Sequence, residues 1–291
     1  MSKLGLGTAQ FGLDYGISSA RGSVNLNEVK KILNYAQSKN LGFLDTSPSY
    51  GDAEKVLGIN NILSFEVITK TRHFDAPKIN KHDSIILNND LDISLHNLKQ
   101  KSVYGLLIHN ADDLLKSGAE NLYRKLVELK VNGKIKKLGV SIYDYNQLIS
   151  ITNFFDIDLV QLPLNIIDRR LTDSGLLKKL LDNDIEIHAR SIFLQGLLLM
   201  QEKDRPKKFN KWKNLWNLWH EWLNDNQISA LEATIRYATS LEDISRVIVG
   251  VDSAEQLKEI VTASNGDLPQ IPHELIVDDP QLLNPTSWKN L

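Results

Sequence analysis

The chain of 291 residues contains no cysteine. Disulfides, thiolate metal sites and a cysteine nucleophile are therefore excluded. Neither sign of charge dominates: 34 Lys and Arg against 36 Asp and Glu leave a formal net charge of -2. That balance predicts no nucleic-acid footprint and no attraction to an anionic membrane surface. No apolar run approaches the roughly 20 residues a membrane-spanning helix needs. The opening stretch "LGLGTAQFG" is glycine-punctuated and too short for the apolar core of a signal peptide, so a cytoplasmic location is the expectation. The histidines (His73, His82, His96, His109, His188, His220, His273) show neither His-x-His nor HExxH spacing. Metallohydrolase chemistry lacks its ligand pattern, and no metal is expected.

What is present is an ordinary globular composition, 42% hydrophobic and 24% charged, in a chain long enough for a large core. Eight short apolar runs are spread along it: Leu4–Gly7, Gly42–Leu44, Phe65–Thr69, Tyr104–Ile108, Lys137–Val140, Leu159–Leu162, Ile185–Ala189 and Arg246–Val249. They lack the alternation of half-exposed strands and read as buried parallel strands. Helix-period stretches lie between them. One places Val29, Ile32, Leu33 and Ala36 on a single face, another Leu122, Leu126 and Leu129, and a third Leu176, Leu177, Leu180 and Leu181. The second stops at Asn132-Gly133, a fitting C-cap, and "SAEQ" from Ser253 to Gln256 reads as a capping box.

This alternation predicts an α/β fold, a (β/α)8 TIM barrel forming one domain over 1–291. An open doubly wound sheet is the alternative. It is disfavoured because Gly5, Gly7 and Gly12 lack the third spacing of a dinucleotide fingerprint. The long gap between runs seven and eight holds Trp212, Trp216, Trp219 and Trp222 at helical spacing. A helical segment at about 203–224 is expected there, packed on the barrel or walling a pocket.

In such barrels chemistry sits at the C-terminal ends of the strands. The second run delivers Asp45, the third Lys70, the fourth His109, the fifth Ser141, the sixth Gln161, the seventh Arg190 and Ser191, and the eighth Gly250. Tyr50 follows Asp45 closely in "FLDTSPSYG" and can fold back over the same mouth. Each has a plain alternative: Asp45 a helix cap, Lys70 a solvated lysine, His109 a structural histidine, Tyr50 a turn residue. Together they make a chemical set. A carboxylate keeps a buried lysine charged. The ammonium favours the phenolate and draws the tyrosine's pKa down by roughly 1–3 units. The phenol then exchanges a proton with a substrate oxygen that the imidazole orients.

At this point the chain resembles the aldo-keto reductase family, in a bacterial form. "LGLGTAQFG", "FLDTSPSYGDAEKVLG", "EVITKT", "GLLIHN", "GKIKKLGVS", "VQLPLN" and "VIVGVDSAEQLKEI" fall in family order from about residue 3 to 261. The resemblance implies carbonyl reduction by NADPH or, less often, NADH. It implies Tyr50 as proton donor, Lys70 and Asp45 as its tuning pair, and His109 as the residue that orients the carbonyl. For the cofactor it implies Gly7 and Thr8 at the first strand end, and Ser141 and Gln161 on the nicotinamide carboxamide. Arg190 stands where a tyrosine often stacks on the ring. Ser191, Gln195, Gly196 and Leu197 run along the pyrophosphate, and Gly250, Val251, Asp252, Ser253 and Gln256 form the far end. The family often has asparagine after the serine, where this chain has Ile142. NADPH-specific relatives often have Lys or Arg where this chain has Asp252. NADPH is the family expectation, with NADH left open.

The leading function is an NAD(P)H-dependent oxidoreductase acting on an aldehyde or ketone. The alternative is a cofactor-binding, redox-sensing regulatory subunit of the same fold. The "ARSIFLQGLLLM" stretch and "LLNPTSW" tail look like those of bacterial reductases, some near sugar pathways, which makes a sugar-derived carbonyl one substrate class. The expected partner is this small carbonyl compound, with no nucleic acid and no membrane. The sequence does not specify an oligomeric state.

Overall fold

Eight strands pair in parallel in sequence order, and the first pairs with the last, so the sheet closes into a barrel. The structure, a computed structural model, describes residues 2–14 and 22–291. The strands are β1 (Leu4–Gly7), β2 (Phe43–Asp45), β3 (Glu66–Lys70), β4 (Val103–Ile108), β5 (Ile135–Ser141), β6 (Leu159–Pro163), β7 (Glu186–Arg190) and β8 (Arg246–Gly250). The helices around them are α1 (Leu26–Ser38), α2 (Ala53–Ile59), α3 (Lys81–Leu98), α4 (Glu120–Val131), α5 (Tyr145–Thr152), α6 (Arg170–Asp173), α7 (Leu176–Leu181), α8 (Lys213–Asp225), α9 (Ala230–Ser240) and α10 (Ala254–Ala263). This is the (β/α)8 TIM barrel expected from the alternation of runs.

Six of the eight strands reach one residue further than their apolar runs suggest, while β1 and β4 end where their runs do. Asp45, Lys70, Ser141, Arg190 and Gly250 are last residues of strands and still hold ladder register, with Asp45 opposite Ile68 and Ser141 opposite Gln161. Side chains alternate faces along a strand, so residues two apart share a face. Phe43, Ile68, Leu107, Leu159 and Ile248 form a cluster of their own inside the barrel, with His188 edge-on to Phe43. Two residues beyond these six stand Asp45, Lys70, His109, Gln161, Gly250 and Arg190. The apolar layer is the floor on which the upper, polar layer rests.

The outer core forms as the periodicity implies. Val29, Ile32, Leu33 and Ala36 of α1 are buried, as are Leu122, Leu126 and Leu129 of α4. The third stretch forms α7, which starts directly after Gly175 at φ 72°; Leu177 and Leu180 are buried, while Leu181 is exposed. The tryptophan helix starts later than its spacing suggests. Residues Lys207–Trp212 are a 3-10 turn after Pro206, and the α-helix begins at Lys213. Trp216, Trp219 and Trp222 are buried, and each indole N–H donates to a backbone carbonyl: of Phe209, Leu198 and Gln270. They pack and do not wall the pocket.

The lower end of the barrel is closed by an ionic network. The Glu186 carboxylate takes hydrogen bonds from Tyr104 at 2.6 Å and Lys137 at 2.5 Å, and His188 Nε2 lies 2.6 Å from it. Burial alone would raise its pKa; the bonds to His188, Lys137 and Tyr104 prevail and hold it at about 2.

Candidate active site

The upper rim surrounds a cavity of about 340 Å³. Lys70 lies at its base, 2% exposed, with its ammonium 2.8 Å from both carboxylate oxygens of Asp45 and 3.0 Å from the Thr46 carbonyl. Asp45 is fixed twice more. Its carbonyl accepts from the Thr8 hydroxyl at 3.0 Å, and its carboxylate accepts from Gln161 Nε2 at 2.7 Å. Burial pulls the lysine pKa down, but Asp45 and Tyr50 outweigh it and the net direction is up, so Lys70 is charged.

Tyr50 Oη lies 3.4 Å from the Lys70 ammonium. Two backbones in close approach put it there. A Cβ on Gly12 would lie 1.9 Å from the Tyr50 carbonyl, and one on Gly51, at φ 58°, would lie 2.4 Å from the Gly12 carbonyl. Only glycine allows the loops after β1 and β2 to meet like this. Burial raises the phenol's pKa, and the opposing pull of Lys70 does not cancel it. The sequence-based expectation was a lowered value. Desolvation is the stronger influence here, and the phenol holds its proton at neutral pH.

His109 faces Tyr50 edge-on at 6.0 Å between centroids, with Nδ1 3.3 Å from the Ser47 hydroxyl. Burial first, then the charges of Lys70, His73 and Arg190, lower its pKa to about 2. It is a neutral imidazole over the whole working range.

Arg190 is held by the Ile142 carbonyl at 2.8 Å and the Ser191 hydroxyl at 3.2 Å, and it lies 4.3 Å from the centroid of the Tyr143 ring. Ile142, where relatives often have asparagine, has a buried side chain and contributes backbone only, this carbonyl and an N–H that donates to the Gln161 carbonyl at 2.9 Å. After Arg190 the chain enters left-handed backbone at Ser191, Leu194, Gln195 and Gly196, with φ of 61, 49, 54 and 91°. Such strain concentrates at ligand-binding segments.

Of the residues expected to hold the cofactor, Gly7, Thr8, Ser141, Gln161, Arg190, Ser191, Gln195, Gly196, Gly250, Asp252 and Gln256 line this cavity. Leu197 and Val251 are buried in the outer core instead. Ser253 caps α10, its hydroxyl accepting from the Gln256 N–H at 3.1 Å. The capping box is half formed, because the Gln256 amide oxygen reaches past Ser253 to the N–H of Asp252. Tyr143, Phe193, Leu231 and Glu259 also line the cavity. Phe193 is an aromatic that the sequence offered for an apolar wall; the strand-end rule could not find Tyr143, Leu231 and Glu259, since they lie on loops and helices. Gly250 leaves room for the Gln10 amide, which would be 2.4 Å from a Cβ there.

A nicotinamide dinucleotide fits this lining. Gln161 Oε1 is buried with no protein partner, an open acceptor suited to a carboxamide N–H. The guanidinium of Arg190 offers a planar surface. Among the described residues no three His, Asp or Glu side chains could hold a metal ion, and no helix is long and apolar enough to cross a membrane.

Comparison with known proteins bears on the family and the fold. The model of the aldo/keto reductase family matches residues 3–277. Among solved structures, an aldo-keto reductase of Bacillus halodurans in its holo form superposes with a TM-score of 0.72 at 18% identity, over 92% of this chain and 88% of that one. The glycerol dehydrogenase of Gluconobacter oxydans superposes with a TM-score of 0.70 at 18% identity, over 94% and 89%. A search of curated proteins finds no match. With the family model spanning nearly its whole length, the chain belongs to the aldo/keto reductase family of oxidoreductases.

Proposed function

We propose that this protein reduces an aldehyde or ketone to an alcohol with NAD(P)H, with Tyr50 as the proton donor. The observation that carries the reading is the Asp45–Lys70–Tyr50 relay: an ammonium pinned at 2.8 Å by a buried carboxylate and 3.4 Å from a phenol oxygen facing the cavity. The bound nicotinamide would supply the hydride. As negative charge develops on the substrate oxygen, Tyr50 gives up its proton. Lys70 stabilises the phenolate left behind, and Asp45 keeps Lys70 charged in its dry setting. A Ser47 hydroxyl donating to Nδ1 would leave the His109 proton on Nε2, from where the neutral ring can hydrogen-bond the substrate oxygen without taking a charge.

A second cavity adjoins the first beyond His109, lined by Ser49, His73, Asn110 and Tyr143. Hydroxyl, imidazole and amide groups suit a hydroxylated carbonyl compound, in keeping with a sugar-derived substrate. Tyr50→Phe removes the proton and little else. It is expected to lower turnover about 10²–10⁴-fold while leaving NAD(P)H affinity within about twofold. Undiminished turnover would overturn the assignment of Tyr50.

A further inference from the structure

The cavity has two ends of opposite charge. The inner end carries Lys70 and Arg190 against Asp45, and the outer end is lined by Asp252, Gln256, Glu259 and Ile260. A dinucleotide whose reactive ring reaches Tyr50 places its adenosine ribose at the outer end. Among the described lining residues, no Lys or Arg stands there. The N-terminus of α10, where a phosphate would gain from the helix dipole, is already supplied with oxygens by the chain itself. The Ala254 N–H donates to Glu28 Oε1 at 2.8 Å, and the Gln256 N–H donates to Ser253. Glu28 reaches across from the first turn of α1, where Asn25 caps the helix and Lys31 pairs with the other carboxylate oxygen at 3.0 Å. The Ala254 N–H, then Lys31, hold its carboxyl below the usual range, so it is an anion at neutral pH.

We propose that Glu28, seated on the α10 N-terminus beside Asp252, makes this site selective for NAD(H) over NADP(H). The proposal rests on the reading of the cavity as a nicotinamide dinucleotide site. A 2′-phosphate dianion brought to this end meets the Asp252 carboxylate, a Glu28 carboxylate that holds Lys31 in an ion pair, and a helix terminus whose leading N–H is taken. A 2′-hydroxyl is a hydrogen-bond donor, and a carboxylate accepts it. This departs from the family expectation of NADPH and assigns the difference to a residue outside the cavity lining.

The test is calorimetric titration of NADH and NADPH, separately, into wild type, Glu28→Gln and Asp252→Asn. Glutamine keeps an oxygen for the Ala254 N–H and removes only the charge, and circular dichroism checks that each variant is folded. Wild type is expected to bind NADH at least about tenfold more tightly than NADPH. Glu28→Gln should tighten NADPH about fivefold and change NADH less than about twofold, from the loss of one like charge near the phosphate. Asp252→Asn should move the ratio in the same direction. Equal affinities in wild type, or a ratio unmoved by Glu28→Gln, would overturn the selectivity and leave the dinucleotide site standing. Binding of neither cofactor would overturn both.

Discussion

Replacing His109 by glutamine removes a titrating ring whose protonation the folded barrel resists. In the native state its pKa lies at about 2 against an ordinary 6.5. Below the ordinary value the unfolded chain binds a proton that the folded chain refuses. Wild-type stability is therefore complete above pH 6.5 and is lost as pH falls from there toward about 2. At about pH 5 the gap is about 1.5 units, and at roughly 1.36 kcal/mol per unit the loss is about 2 kcal/mol. His188 and His220 are also lowered by burial and slope the same way, but they remain in the variant and cancel. The assay is urea denaturation of both proteins at about pH 7.5 and about pH 5. The wild type should lose about 2 kcal/mol more than the variant between the two. Parallel losses would refute the neutral, desolvated imidazole on which its role as a donor depends.

Asp45→Asn strips the Lys70 ammonium of its 2.8 Å carboxylate partner in a buried setting. A loss of about 3–5 kcal/mol is expected in the same denaturation assay, and a loss below about 1 kcal/mol would mean that the pair is not held as described. Trp219→Ala empties a fully buried site whose indole N–H bonds the Leu198 carbonyl. It should cost about 3–5 kcal/mol of stability and leave cofactor affinity in calorimetry unchanged, because no tryptophan lines the cavity.

The barrel was legible because buried parallel strands leave uninterrupted apolar runs, and eight of them separated by helices have few other solutions. The strand ends were less legible. Asp45, Lys70 and Arg190 look like loop residues in sequence, yet they continue the hydrogen-bonded ladder. The alternation that carries Phe43 and Ile68 inward also carries Asp45 and Lys70 inward, and it is hidden by the apolar outward face between them. α3 left a faint pattern, since Ile85 and Ile93 on it are exposed. Glu28 and Tyr143 left none. Glu28 reads as an ordinary first-turn acid of α1, and its bond to Ala254 spans 226 positions. The Gln161–Asp45 bond spans 116. Such pairings are set by closure of the sheet and by nothing local.

Closure also governs when the protein can begin to work. β1 completes its ladder only against β8, Leu4 opposite Val247 and Gly7 opposite Gly250. On a chain emerging from the ribosome, almost the whole sequence is exposed before β1 meets its second neighbour. Until then two sheet edges are open to other chains. During refolding, recovery of catalysis should therefore trail recovery of helix content. Catalytic activity serves as a clock for the final seam, and an interruption just before β8 would yield a sticky, open ring of seven strands with no residual turnover.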